Sequence, residues 1–378
     1  LKIIYCADLH IGANKFGVDS ATWNAPLWDI VETVKNDNNV EYVVISGDAF
    51  HKRHPTTDEL DFYRHWVSTL NGYGAVVIDI AGNHDYGVRA ESLPGSDFFD
   101  EVMTYKGKLQ TLVLSEGKLA DGLQLIAVPW PRLVDYSHTD GNCQFPIDEE
   151  LRIAAVAVEQ KIEKAVADFD GQSIIAGHMH VWYGGSSNRT DVDGPGLMMG
   201  RDLLVSWTKL AGLPNMIGMH LGHIHTPGRG YVGSSQPTDF ADETVKRYEL
   251  VEYELAGTGA VTGSGRPMWH ENVESIEYRS SLKVKDFKLE SHYDWSFPDE
   301  PEYDIVRGTY TATAAFDDGA TNGTLGLREW LSKWGKTVLG ATVIPYRGES
   351  RVSQFEKPDG WDLSDPREAI ELWARERG

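Results

Sequence analysis

Cysteine is scarce. Only two occur in 378 residues, Cys6 inside an apolar run and Cys143 in a polar stretch, which argues against a disulfide framework and fits a reducing, cytoplasmic setting. Long apolar runs are missing too. Nothing approaches the ~18 consecutive apolar residues of a membrane span, so no membrane association is expected. Leu1–Cys6 already patterns as a core strand, so no secretory leader is expected, and the lack of an initiator Met is read as loss of at least one residue. Positive charge is short, with 35 Lys and Arg against 57 Asp and Glu and a formal charge of −22. The basic footprint that usually marks nucleic-acid binding is therefore not visible in composition. On one reading this acidity serves solubility; on the other, bound divalent cations, a local basic surface or a partner offsets it. Internal repeats and low-complexity tracts are absent as well.

What is present is a globular pattern. Apolar residues make up 41%, enough for a substantial core. The length exceeds the ~250–300 residues at which single cores stop growing, so one large domain and a smaller one are expected. Short apolar runs at Lys2–Cys6, Glu41–Ile45 and Ala75–Ile80 alternate with helical patterns over residues 24–36 and over Pro55–Leu70, the latter opened by Pro55. That rhythm is one of βαβ units in an α/β fold. Further strands are expected at Leu123–Val128, Ser173–Ala176, Met216–Leu221 and 246–254, the last as an edge or antiparallel strand, with a long amphipathic helix over Glu149–Phe169. Beyond about residue 280 the character changes. A strand at Glu302–Ala314, a helix at Leu325–Trp334 and a strand at Thr337–Ile344 form a small α/β unit, and Gly348–Gly360 reads as a linker.

Five motifs stand at the carboxyl ends of predicted strands: Asp8-Leu9-His10, Gly47-Asp48, Gly82-Asn83-His84-Asp85, Gly177-His178 and Gly222-His223-Ile224-His225. In open α/β sheets that edge is where ligands bind. Packing alone does not explain seven metal-ligand side chains on one rim. The donors are Asp8, His10, Asp48, Asn83, His178, His223 and His225, oxygen and imidazole without thiolate. This set suits Mn, Fe or Zn better than an all-oxygen Ca or Mg cage. Seven ligands are too many for one tetrahedral ion, so a pair of ions ~3.5–4 Å apart is expected. Asp48 can bridge them, because a carboxylate offers two oxygens and a full charge. The ions would acidify a water and neutralise phosphate oxygens. His84 could protonate the leaving oxygen, with Asp85 orienting it. Taken singly, Asp-x-His and Gly-Asp are weak signals; in this order, each after a strand, they are strong.

The series resembles the calcineurin-like metallophosphoesterase superfamily, all of whose signature blocks are present. The resemblance implies one ion on Asp8, His10, Asp48 and His225, and another on Asp48, Asn83, His178 and His223, with His84 as the catalytic histidine. In the fourth block His178 and His180 both follow the strand; the family pattern favours His178.

Within the superfamily the chain resembles the SbcD type of DNA double-strand-break repair exonuclease subunit. The segments carrying this are Gly47-Asp48-Ala49-Phe50-His51 with Pro55, Pro129-Trp130-Pro131-Arg132, and Tyr231-Val232-Gly233-Ser234-Ser235 with Asp239-Phe240. The resemblance implies a four-layer βαβ sandwich over 1–280, classed α/β or, by some schemes, α+β. It also implies a small α/β capping domain over 281–347, which would position DNA, and a linker and docking helix over 348–378. The activity implied is exonuclease and endonuclease cleavage of DNA with two divalent ions, Mn foremost and Mg, Fe or Zn as alternatives. Phosphate contacts would come from His51, Lys52, Arg53 and Arg132, for which an ordinary solvated surface is the bland alternative. Asp365-Pro366 opens a helix too short to stand alone, so Ile370 and Trp373 on its face must dock on something, its own domain or an SbcC-like SMC-family ATPase. A homodimer is expected, with pairing through the helices near 56–70 and 91–103 left open, and the acidity and compact tail would suit a bacteriophage-encoded version. Two rival functions stay open: a phosphatase or cyclic-nucleotide phosphodiesterase of the same superfamily, and a scaffold subunit regulating the ATPase.

Overall fold

The computed structural model describes residues 1–85, 102–105, 109–114, 122–136, 147–183, 202–242, 244–255, 268–289, 301–311, 327–328 and 331–344. The linker, the terminal helix with Ile370 and Trp373, and most of the 91–103 segment lie outside them. The chain divides into two compact units, Leu1–Lys285 with Glu302–Ile305, and Asp286–Pro301 with Val306–Gly378.

The first unit begins with β1 (Lys2–Cys6), α1 (Ser20–Asn36), β2 (Val40–Ser46), α2 (Thr57–Gly72), β3 (Val76–Ile80) and β4 (Val102–Tyr105). There follow β5 (Gln110–Val113), β6 (Leu123–Val128), α3 (Leu133–Tyr136), α4 (Ile147–Asp168), β7 (Gln172–His178) and β8 (His180–Trp182). Then come β9 (Leu204–Ser206), α5 (Trp207–Ala211), β10 (Met216–Gly222), β11 (Arg247–Leu255) and β12 (Trp269–Glu277). A six-stranded sheet has the order β12-β11-β1-β2-β3-β4, and a four-stranded sheet the order β10-β7-β6-β5. Strands β1 to β4 run parallel, as do β6, β7 and β10. β11 is antiparallel to β1 and is not an edge, since β12 covers it.

The period-2 alternation of each strand places its side chains in two different cores. From β1, Ile4 and Cys6 pack with Leu27, Ile30, Trp66 and Val67 of α1 and α2. Ile3 and Tyr5 face the other way, packing with Leu125, Ala127, Ile174 and Ala176 of the second sheet. On that sheet's far side, Ile126, Val128 and Ile175 pack with Leu151, Val158 and Ile162 of α4. Helices, sheet, sheet and helices thus make four layers of a mixed α/β fold, as the sequence predicts.

Helix starts differ from the sequence reading. α1 begins at Ser20 because Asp19 caps it, accepting from Thr22 N at 2.7 Å. α2 begins at Thr57 rather than Pro55. Thr56 and Glu59 form a reciprocal capping box that satisfies two otherwise unpaired N–H groups, which a proline cap could not do.

The remaining strands, β13 (Val284–Leu289), β14 (Tyr303–Thr311) and β15 (Gly335–Ile344), form a three-stranded sheet in that order. Residues 327–328 and 331–334 are helical. Within the second unit Phe287 packs on Trp334 with ring centroids 5.5 Å apart, and Arg307 pairs with Asp286 at 2.7 Å.

Candidate metal centre

Because β1, β2 and β3 are parallel neighbours in one sheet and β7 and β10 in the other, the loops after them emerge at one edge. The Ser46 hydroxyl of β2 donates to His220 O of β10 at 2.9 Å and ties the two sheets together there. The first two loops are zipped: Asp8 N donates to Gly47 O, His10 N to Asp48 O and His51 N to Ile11 O, at 2.9–3.0 Å. The geometry demands strained backbone. Asp8, His10, Asp48 and His223 have φ of 51°, 47°, 52° and 93°, four of the seven positive-φ non-glycine residues among those described. Each such conformation costs about 1–3 kcal/mol and persists where surrounding structure imposes it, commonly at functional sites.

The glycines of the motifs make room. Gly47 has φ +95°, and a Cβ on it would stand 2.1 Å from His178 Nδ1. A Cβ on Gly82 would stand 2.1 Å from Asp48 Oδ1 and 2.3 Å from Asp48 N. The latter neighbour is backbone and cannot swing aside. Gly82→Ala is therefore expected to destabilise the fold by ~1–3 kcal/mol, the usual range for overpacking, measured by urea unfolding. A stability unchanged by the substitution would contradict the close approach.

The side chains gather in two groups. In one, Asp8, His10 and His225 bring ligand atoms within 4.8 Å of one another, with His10 Nε2 and His225 Nε2 3.1 Å apart. In the other, Asp8, Asp48 and His178 do the same. His178 Nε2 lies 3.4 Å from Asp48 Oδ2 and 2.9 Å from Asn83 Oδ1, and His223 Nδ1 lies 3.3 Å from that same oxygen. All seven predicted ligands thus come together. His180, on β8, gathers with Asp202 and His223 in a further group of the same closeness, and His10, His51 and His84 form another.

Three of the imidazoles turn inward because their outer nitrogens are occupied. His178 Nδ1 donates to Ser46 O at 3.0 Å, and His225 Nδ1 meets Thr238 Oγ1 at 2.9 Å. His84 Nδ1 donates to His51 O at 2.6 Å, which leaves its Nε2 3.9 Å from Asp48 Oδ2. The His51 carbonyl thus orients His84, the role the sequence reading expected of Asp85. Asp85 accepts from Gly82 N at 2.9 Å, Phe50 N at 3.3 Å and Ala49 N at 3.4 Å, tying the second and third loops together.

These residues fit divalent cations on the structure's own terms. His10 Nδ1 is a buried nitrogen without a hydrogen-bond partner, and the Nε2 atoms of His10 and His225 converge on a common point beside Asp8. Burial holds His10 well below the usual histidine range against the pull of Asp48, which keeps its lone pair available. Burial opposes the charge of Asp48, yet the imidazoles of His178, His10 and His84 hold its carboxyl below the ordinary range. Burial also opposes a charge on His178, but Asp48 overcomes it and holds that imidazole at about 9. Cations would relieve this crowding of donors.

The predicted substrate residues are less gathered. His51 stacks on His84 with centroids 5.5 Å apart, while Lys52 and Arg53 are exposed beyond it. Arg132 makes a two-pronged contact with Asp135 at 2.7 and 2.8 Å. Trp130, on the same loop, lays its ring 4.7 Å from that of His223. Thr238 and Asp202 belong to no motif, and nothing in their sequence surroundings points to them.

Behind the rim lies a second charged group. His220 is 3% exposed, stacks on Tyr5 at 3.7 Å, and meets Glu249 at 2.6 Å, Glu271 at 3.0 Å and the Tyr253 hydroxyl at 3.1 Å. Burial disfavours its charge, but the two carboxylates prevail and raise it to about 9. A raised folded-state value stabilises the protein fully below the unfolded value near 6.5, and the benefit fades as pH climbs through 9. We expect a difference in unfolding free energy between wild type and His220→Gln of up to ~3 kcal/mol at pH 6, narrowing toward pH 10. A difference that stays flat with pH would count against an imidazolium here.

Parallel strands that deliver carboxylates, an amide and imidazoles to one edge define a metal-dependent hydrolase. The chain belongs to the calcineurin-like phosphoesterase family, whose sequence profile matches residues 1–227, and it is thus a metal-dependent phosphoesterase of a family that implies two divalent ions. It is also similar to the SbcD component of the SbcCD nuclease from Bacillus subtilis (strain 168), 29% identical over 86 residues. That match spans 22% of this chain and 22% of the relative's length. Among solved structures it is similar to a dimetal phosphatase from Danio rerio, with 12% identity and a TM-score of 0.35, covering 73% of this chain and 98% of that one. Among the described residues no helix is long and apolar enough to cross a membrane.

Proposed function

We propose that this phosphoesterase hydrolyses DNA phosphodiesters as the nuclease subunit of an SbcCD-like complex, using two divalent ions of which Mn is the first choice. The observation that carries the two-ion reading is the convergence of Asp8, His10 and His225 beside Asp8, Asp48 and His178, with Asn83 and His223 closing the second group. Asp8, His10, Asp48 and His225 would hold one ion, and Asp48, Asn83, His178 and His223 the other. When bound, the ions supply charge to the phosphate oxygens and acidify the attacking water. The protein's own contribution is orientation. Ser46 O and Thr238 Oγ1 fix His178 and His225, and His51 O holds His84 with Nε2 toward the centre, where it can deliver a proton to the leaving oxygen.

The DNA part of the proposal draws on the likeness to the SbcCD nuclease and on the basic His51-Lys52-Arg53 turn beside the centre. The same reading includes the capping role for residues 281–347, an SMC-type ATPase docked on Ile370 and Trp373, and pairing of two copies. A formal charge of −22 favours a second reading, a phosphatase for small substrates, because a polyanion is repelled at long range. The deciding experiment compares Mn- and Mg-supported digestion of end-labelled duplex DNA with hydrolysis of a small aryl phosphate, with and without an SbcC-like ATPase. Faster turnover of the aryl phosphate and no shortening of duplex ends would reject the nuclease proposal in favour of the phosphatase.

A further inference from the structure

Of the four imidazoles at the centre whose outer nitrogen meets an oxygen, three meet a neutral one: Ser46 O, Thr238 Oγ1 and His51 O. His223 differs. Its Nδ1 faces Asn83 Oδ1 at 3.3 Å, and its Nε2 faces a carboxylate, Asp202 Oδ2, at 3.6 Å. The same oxygen lies 3.8 Å from His180 Nδ1, a nitrogen on a side chain that is 7% exposed and has no hydrogen-bond partner. The rings of His180 and His223 are 5.5 Å apart, so the carboxylate sits between two imidazoles. Asp202 is half-buried between them.

We infer that Asp202 is a positioning residue for His223: its carboxylate takes the outer Nε2–H, so that Nδ1 carries the lone pair directed at the centre. A neutral imidazole has one N–H and one lone pair; Asn83 Oδ1 and the Asp202 carboxylate compete for that proton, and the charged acceptor draws it to Nε2. A ligand held this way is more basic and cannot rotate, and loss of such a partner commonly weakens metal affinity ~10–100-fold. His180 steadies Asp202 from its other side, which gives the buried Nδ1 a purpose that metal binding in the fourth block does not. The inference rests on the proposed assignment of His223 as a ligand.

The test uses the full chain and two measurements. Nitrogen-15 spectra of histidine-labelled, metal-free wild type report the tautomer of His223, identified by its loss in His223→Gln. Calorimetric titration with Mn²⁺ reports stoichiometry and affinity for wild type and Asp202→Asn. The expected result is an Nε2–H tautomer for His223, two ions in wild type, and a second ion bound at least ~10-fold more weakly in the variant. An Nδ1–H tautomer in wild type, or equal affinities, overturns the inference while leaving the two-ion reading standing. A third ion bound by wild type and lost in Asp202→Asn also overturns it, because Asp202 would then be a ligand. Wild type that binds no ion overturns the reading of the centre and this inference with it. The spectrum needs no variant, so the inference stays testable if Asp202→Asn does not fold.

Discussion

Asp48→Asn is expected to lower metal-dependent phosphodiester hydrolysis by at least ~10³-fold while leaving the four-layer core folded. The Asp48 side chain is buried among imidazoles, with Oδ1 accepting from His84 N at 2.8 Å and Oδ2 3.4 Å from His178 Nε2. An amide keeps the shape and can still accept from His84 N. It loses the charge, however, and that is the property a bridge between two cations requires. It also turns an N–H₂ toward His178 Nε2 if its oxygen stays on His84. The expected result is a loss of rate from a protein that still folds, with some loss of thermal stability in metal-free protein because the amide no longer offsets the charge on His178. Calorimetric titration with Mn²⁺ alongside digestion of labelled duplex separates the two effects. A variant that binds both ions normally and turns over at the wild-type rate would remove Asp48 from the bridging position. If the variant lost its hydrolysis yet fully restored repair in cells, the scaffold reading would be the better one.

The layers were legible because they follow from alternation. After Lys2, β1 reads as a continuous apolar run, and such a run is buried on both faces, as the split of Ile3 and Tyr5 from Ile4 and Cys6 bears out. The motif residues were legible because each follows a strand, and parallel strands share an edge. Other features had no local signature. β12 is mostly exposed and polar, with His270, Glu271, Asn272, Glu274, Ser275 and Glu277, and it is a strand because β11 offers it an edge. β8 and β9 are three residues each, too short for periodicity to appear. At the centre the missing information was orientation. No spacing announces that His84 is held by a carbonyl 33 residues away, or that Asp202 meets an imidazole from the loop after β10. His220 falls within the strand expected at Met216–Leu221 and nothing local marks it, yet its imidazole meets two carboxylates and a tyrosine hydroxyl behind the rim. Its partners, Glu249 and Glu271, sit on strands distant in sequence, so only the folded arrangement could disclose the pairing.

His84→Ala should reduce kcat on DNA by ~10²–10⁴-fold, the usual contribution of a positioned general acid. The tautomer decides where the proton sits. Because His84 Nδ1 donates to His51 O, a protonated His84 has its transferable proton on Nε2, and that atom stands 3.9 Å from Asp48 Oδ2 at the mouth of the centre. With 37% of its side chain exposed, His84 can reach a bound phosphodiester without rearranging the buried ligands beneath it. The effect should therefore depend on the leaving group. A sugar alkoxide is strongly basic and departs only as it is protonated, so DNA cleavage feels the full loss. A nitrophenolate departs readily without a proton, so hydrolysis of a nitrophenyl phosphodiester by His84→Ala should fall far less. Affinity for Mn²⁺ should stay within a few-fold of wild type, since His84 belongs to neither group built on Asp8 and meets the centre only through a separate cluster with His10 and His51. Equal losses on both substrates, or a collapse of metal affinity in the variant, would show that His84 acts through binding rather than through proton delivery.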